Sequence, residues 1–197
     1  MAGPSAELSP VIAASTEWLA RAYPPAASDA VAYTLAELQA RQAVTVAAWL
    51  RYPTGMDAAL VAIAGPGGSA VLDWRAGSEP GDDLDEAEGW RTWVDEVVVS
   101  WAACLLADPA LARRAVDAVI AALPPGADAD ARPRPHRART GGLTGGLTGG
   151  FRRLTAPDHR DRRAAALLRH PDLLEPISSM HRDNLVYLLD AEPAGLA

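Results

Sequence analysis

The sequence contains no lysine: all 18 basic residues are arginines. No Schiff-base lysine, phosphate-loop lysine or lysine general base therefore exists, which excludes pyridoxal-phosphate enzymes, Walker-type nucleotidases and ordinary protein kinases. A single cysteine, Cys104, rules out an internal disulfide and gives no sign of an oxidising compartment. Its apolar neighbours in "VVVSWAACLL" point to an inert core thiol. The N-terminus "MAGPSAELSP" lacks the basic and apolar regions of a signal peptide. The longest apolar run, Val97 to Ala107, falls short of the roughly 20 residues a membrane span needs. These absences lead us to expect a soluble cytoplasmic protein with no membrane partner. The bias toward arginine, alanine and proline suggests a GC-rich bacterial source.

What is present is unevenly charged. The net charge is −7, yet residues 1–123 carry 7 arginines against 16 acids, whereas residues 124–169 carry 10 against 4. An acidic body thus adjoins one basic segment. That segment includes "RPRPHRARTGGLTGGLTGG", a Pro/Arg/Gly-rich stretch with a tandem GGLT repeat and linker composition.

Apolar periodicity marks several helices. Ser9-Pro10 reads as a helix start, with serine as N-cap and proline at N1, and the helix should stop before Pro24-Pro25. Ser28-Asp29 opens a second, with Val31, Leu35 and Leu38 as its core stripe. Farther on, "AVTVAAWLRYP", "AALVAIA" and "AVLDWR" are short apolar runs separated by "PTGMD" and "GPGGS". Turn residues at this spacing suggest three antiparallel strands near 44–52, 58–64 and 69–75. Trp90, Trp93, Val97, Trp101 and Cys104 then share one helical stripe, and Pro109 opens a helix running to Leu123. The expected fold is α+β: a small antiparallel β-meander packed with about four helices over 1–123. A flexible Gly/Arg-rich tether (124–150) and a short helical C-terminal docking segment (151–197) follow. The alternative is all-α.

Motifs that could carry chemistry mostly fail on their surroundings. "GPGGSA" fits the glycine spacing of a dinucleotide-binding turn, but "AVLDWR" is too short for the helix that turn must start. In "HRDNLVYLL" the position that should be asparagine in a kinase catalytic loop is Leu188. His159, His170 and His181 are evenly spaced, but Pro171 and Pro176 interrupt the helix that would align them. Asp82, Asp83 and Glu86 have a D-D-x-x-E spacing suited to Mg²⁺. No serine or cysteine pairs visibly with a base.

The best-supported expectation is a non-enzymatic adaptor or regulatory protein without a cofactor. It would bind a partner protein, or another copy of itself, through Trp90, Trp93 and Trp101 and through Arg152, Arg153, Arg160, Arg162 and Arg163 of the tethered segment. Two alternatives stay open. One is nucleic-acid binding by the arginine-rich arm. The other is a Mg-dependent phosphohydrolase using the acidic cluster.

Overall fold

A computed structural model of the chain describes residues 7–25, 30–77, 86–122 and 150–191. Within them the chain forms helices only: α1 (Ser9–Ala22), α2 (Ala30–Arg51), α3 (Gly55–Ala64), α4 (Ala70–Ala76), a 3-10 segment (Glu86–Trp93), α5 (Glu96–Ala107) and α6 (Pro109–Ala122). After residue 149 come α7 (Arg152–Thr155), α8 (His159–Ala164), a 3-10 turn (Leu167–Arg169), α9 (Pro171–Ser178) and α10 (Arg182–Asp190).

No strand occurs among the described residues, so the expected α+β fold with its β-meander is incorrect and the all-α alternative holds. The segment expected as the first strand, 44–52, is the end of the 22-residue helix α2. β-Branched Val44 and Val46 cost a helix only a few tenths of a kcal/mol each. The helix repays this by burying Ala40, Ala43, Val44 and Ala47 completely. The second expected strand is α3, which begins at a capping box: Thr54 Oγ1 accepts the Asp57 N–H, and the Asp57 carboxylate accepts the Thr54 N–H. The third is α4, closed by Gly77 in the left-handed conformation. "GPGGS" is therefore a helix–helix connector instead of a hairpin turn. Gly67 and Gly68 adopt φ values of 113° and 92°, and the Gly68 N–H donates to the Val94 carbonyl at 3.0 Å.

The stripe of α2 also differs from expectation. Val31 and Leu38 are 68% and 39% exposed, while Ala32, Ala36, Gln39, Ala40 and Ala43 face inward. Small side chains let a neighbouring backbone come close, and the neighbour here is α5. That helix is enclosed on every side, with every residue from Val98 to Leu106 buried. Helices α1, α2 and α6 cover part of it, and α9 and α10 cover the rest. Phe151, Leu154, Leu168, Leu174, Ile177 and Leu185 belong to the same apolar cluster as the first hundred residues. Residues 151–191 thus complete this core.

The tryptophan stripe is not one helix. Trp90 and Trp93 lie on the 3-10 segment, and Asp95 restarts the chain by capping α5, accepting the Val98 N–H at 2.9 Å. A buried carboxylate ties these parts together. Asp73 of α4 accepts the Trp18 indole N–H (2.8 Å), the Ser69 hydroxyl (2.7 Å) and the Arg91 guanidinium (3.0 and 3.1 Å). Removing one member of a buried, fully bonded set strands the others without partners. Asp73→Ala is therefore expected to lose about 3 kcal/mol of stability. Urea denaturation followed by helical circular dichroism checks this, and a loss under about 1 kcal/mol would show that the joint is not structural.

Candidate functional site

The arginines expected to face a partner divide into two groups. Arg152 and Arg153, themselves largely exposed, pair from the surface with Asp161, which is 2% exposed, at 3.1 and 3.2 Å. Asp161 also caps α8 reciprocally with Asp158, whose carboxyl the Asp161 backbone N–H holds below its ordinary pKa. Gln39 of α2 reaches into this knot: its amide N–H donates to the Asp161 carbonyl at 2.7 Å, and its amide oxygen accepts Arg169 Nε at 3.2 Å. Arg169 donates in addition to the Arg153 carbonyl at 2.6 Å. These bonds fasten the C-terminal segment to α2. Arg160, Arg162 and Arg163 point to solvent.

The three tryptophans do not form one surface. Trp101 is 5% exposed and donates its indole N–H to the His181 carbonyl at 3.0 Å, so it is an interior group. Trp90 and Trp93 are half-buried and border a cavity of about 460 Å³ together with Pro10, Ala13, Ala14 and Arg21. The guanidinium groups of Arg21 and Arg91 each lie 5.1 Å from the centroid of the Trp90 ring.

The acidic candidates Asp82 and Asp83 lie outside the described residues, as does the arginine arm of 132–139, and of Glu86 only the backbone is described. Among the described residues no group of three or more His, Cys, Asp or Glu side chains is placed to hold a metal ion. Two of the three evenly spaced histidines lie beside a carboxylate. His181 Nε2 lies 2.7 Å from Glu96, and His170 Nδ1 lies 3.8 Å from Asp172.

A second cavity, of about 580 Å³, opens beside α3 and is lined by Arg51, Tyr52, Asp57, Leu60, Asp95 and Glu96 among others. Its titratable groups are already engaged. Tyr52 donates its hydroxyl to the Asp95 carboxylate, while the Asp95 N–H donates to Ser15 Oγ at 3.3 Å. The pair joins the end of α2 to the start of α5. Burial, then the Asp95 contact, hold the Tyr52 phenol well above its ordinary pKa. Burial likewise pushes the Cys104 thiol up to about 11, against the smaller pull of Arg182, and its S–H donates to the Ser178 carbonyl at 3.2 Å. A thiol held protonated inside the core is no nucleophile.

The least satisfied surface is one the sequence reading passed over. Helix α3 is apolar on both sides. Ala58 and Val61 are buried, while Met56, Leu60 and Ile63, at i, i+4 and i+7, are 70%, 58% and 86% exposed. On α4, Leu72 and Asp73 face inward, and Val71 and Trp74 are 47% and 74% exposed, with Arg75 5.4 Å from the Trp74 ring. A short apolar run reads equally well as a buried strand, which hid this face. The T-x-x-D capping box at Thr54 was the signal that could have revealed it.

No known protein family, curated protein or solved structure matches the chain. Among the described residues no helix is long and apolar enough to cross a membrane.

Two outcomes follow from this geometry. Asp161→Ala should loosen the C-terminal segment, so that limited proteolysis cuts within 150–191 several-fold faster than in the wild type while α1–α6 persist longer; equal cleavage rates would show that the arginine knot does not hold the segment. The second concerns alkaline pH. An acid whose folded pKa is raised keeps its proton where the unfolded chain has lost it, so this stabilisation is complete below about pH 9. It is lost as pH rises toward about 11. The urea midpoint is expected to fall across that interval, and to fall less in Cys104→Ala; parallel profiles would remove the buried thiol from the explanation.

Proposed function

We propose that the protein is a non-enzymatic protein-binding module, an adaptor, and that its binding face is the outer side of α3 and α4. The observation that carries the reading is the apolar stripe Met56–Leu60–Ile63 on a helix whose opposite side is also apolar. A helix that is apolar all round is normally covered all round. Exposed apolar surface with a polar border marks interaction sites. Trp74 and the neighbouring Arg75 are residue types enriched at the energetic centre of such contacts.

The expectation from sequence placed binding on the tryptophan helix and the C-terminal segment. Trp101, Arg152 and Arg153 have internal partners, which directs the proposal to α3 and α4 instead. Chemistry gains little support, because the Asp95 carboxylate and the Tyr52 phenol beside the α3 cavity, like the Cys104 thiol in the core, each serve a structural bond. We place the activity in the cytoplasm, where a lone cysteine stays a thiol.

Site-specific photo-crosslinking tests the reading. A crosslinker at Ile63 or Trp74, introduced in the native host, should give a discrete adduct, and one at Arg160 or Arg163 should not. Binding rebuilt from the purified components should weaken about 30-fold in Trp74→Ala. Adducts formed equally from both faces, or binding indifferent to Trp74, sink the proposal.

A further inference from the structure

Independently of the α3 face, we propose that the arginine face of α7 and α8 binds the phosphate backbone of a nucleic-acid duplex. Residues 150–169 carry six arginines against two carboxylates, an excess of four positive charges. One of those carboxylates, Asp161, is buried beneath the arginines and offers nothing outward. Among the described residues Arg160, Arg162 and Arg163 form no ion pair, and all three are exposed.

The fold holds these charges together. Asp161 and Ala164 turn one side of α8 into the interior, which leaves Arg160, Arg162 and Arg163 outside. Arg152 and Arg153 pair with Asp161 while 47% and 37% of their side chains stay exposed. A guanidinium carries five N–H donors in a planar fork, so one carboxylate fixes each arginine without exhausting it. Arg113 of α6 comes to the same place, donating to the Thr155 carbonyl at 3.0 Å. The cations also feel one another. Burial lowers the Arg169 pKa, Asp161 opposes this, and the Arg162 charge lowers it further. An anion bound over the face relieves that repulsion.

The class of anion follows from what the face lacks. No large apolar side chain is exposed between residues 150 and 170. A protein partner calls for an apolar centre to the contact, whereas interfaces with a duplex are polar and strongly positive. Single strands are held by stacking their bases on aromatic rings. Phe151 is the one aromatic ring of Phe, Tyr or Trp type in this stretch, and it is buried. Phosphate oxygens match the guanidinium fork directly. The net charge of −7 on the whole chain does not oppose this. At physiological salt, charges beyond about 8 Å are largely screened, so the local excess decides.

A nucleic acid on this face leaves no protein adduct, so this reading and that of α3 are tested separately. Fluorescence anisotropy of the full chain with a labelled DNA duplex of about 20 base pairs and arbitrary sequence, and with its RNA counterpart, reads the binding. About four phosphate contacts give a salt slope of roughly −3.6, so affinity should fall about a hundredfold between about 50 and 200 mM salt. Arg160→Gln/Arg162→Gln/Arg163→Gln should flatten that slope by about three and weaken binding at low salt at least about tenfold, with unchanged circular dichroism. The same loss should appear in a background with Arg132, Arg134, Arg137 and Arg139 all replaced by Gln. Binding of either duplex with this dependence supports the proposal, and the tighter of the two names the source. No duplex binding at low salt, a salt-independent affinity, or binding untouched by the triple variant overturns it. A single strand bound more tightly than the duplex, or poly-glutamate or anionic lipid vesicles bound as tightly at equal charge, overturns the assignment to a duplex.

Discussion

Most of the described helices are arranged around the burial of one of them. Between Val98 and Leu106 α5 presents no side to water, and it carries Ser100, Trp101 and Cys104 into the interior along with its aliphatic residues. A helix in that position needs neighbours over its whole circumference, and the first six helices do not supply them. The remainder comes from the last forty residues. Leu174, Ile177 and Leu185 lie against the side that α1, α2 and α6 leave open. The polar groups of α5 find their partners there too: Ser100 Oγ accepts the His181 N–H at 3.1 Å, and Trp101 donates to the His181 carbonyl.

Buried polar groups form the joints of this arrangement, and each joint links segments far apart in the chain. Asp73 gathers α1, α4 and the 3-10 segment. Asp95 joins Ser15, Tyr52 and the first turn of α5. Gln39 connects α2 to Asp161 and Arg169 across more than a hundred residues. In each case a carboxylate or amide that could suggest a site has hydrogen-bond partners within its own chain, as buried polar groups generally do. The charged clusters of the described chain are in large part a means of alignment for packed helices.

Much of the helical framework was legible in the sequence. Pro24-Pro25 and Pro109 punctuate the chain where α1 ends and α6 begins, because proline's effects are local. Ser9-Pro10 marks the start of α1, but Ser9 is its first residue behind Leu8 and makes no side-chain cap, so the expected serine N-cap is incorrect. The middle was not legible. Valines, Trp49 and Tyr52 are strand-favouring types, and Gly/Pro pairs at even spacing serve helix connectors and hairpins alike. What decided between them was tertiary: alanines of α2 packing against α5, and Gly68 bonded to Val94. The same limit applies to the arginines. Nothing near Arg152 and Arg153 in sequence says that a buried Asp161 will engage them. The outer face of α3 was half legible: its residues were recognised as apolar, but their side assignment depended on knowing they were helical.

The docking of the last forty residues has a kinetic side. Gln39 and Arg169 stand 130 positions apart, and the contacts that close α5 are of similarly long range. Long-range contacts demand loop closure before they return any stabilisation, which slows folding. During synthesis, which proceeds from the N-terminus, α5 leaves the ribosome well before α9 and α10. The nascent chain therefore carries an apolar helix with one side bare until nearly the end of translation. Hydrophobic surface held open in this way is what chaperones bind and what drives aggregation. A stop in the 27 residues before Gly150 would make that transient state permanent, although six of the helices would already be in place.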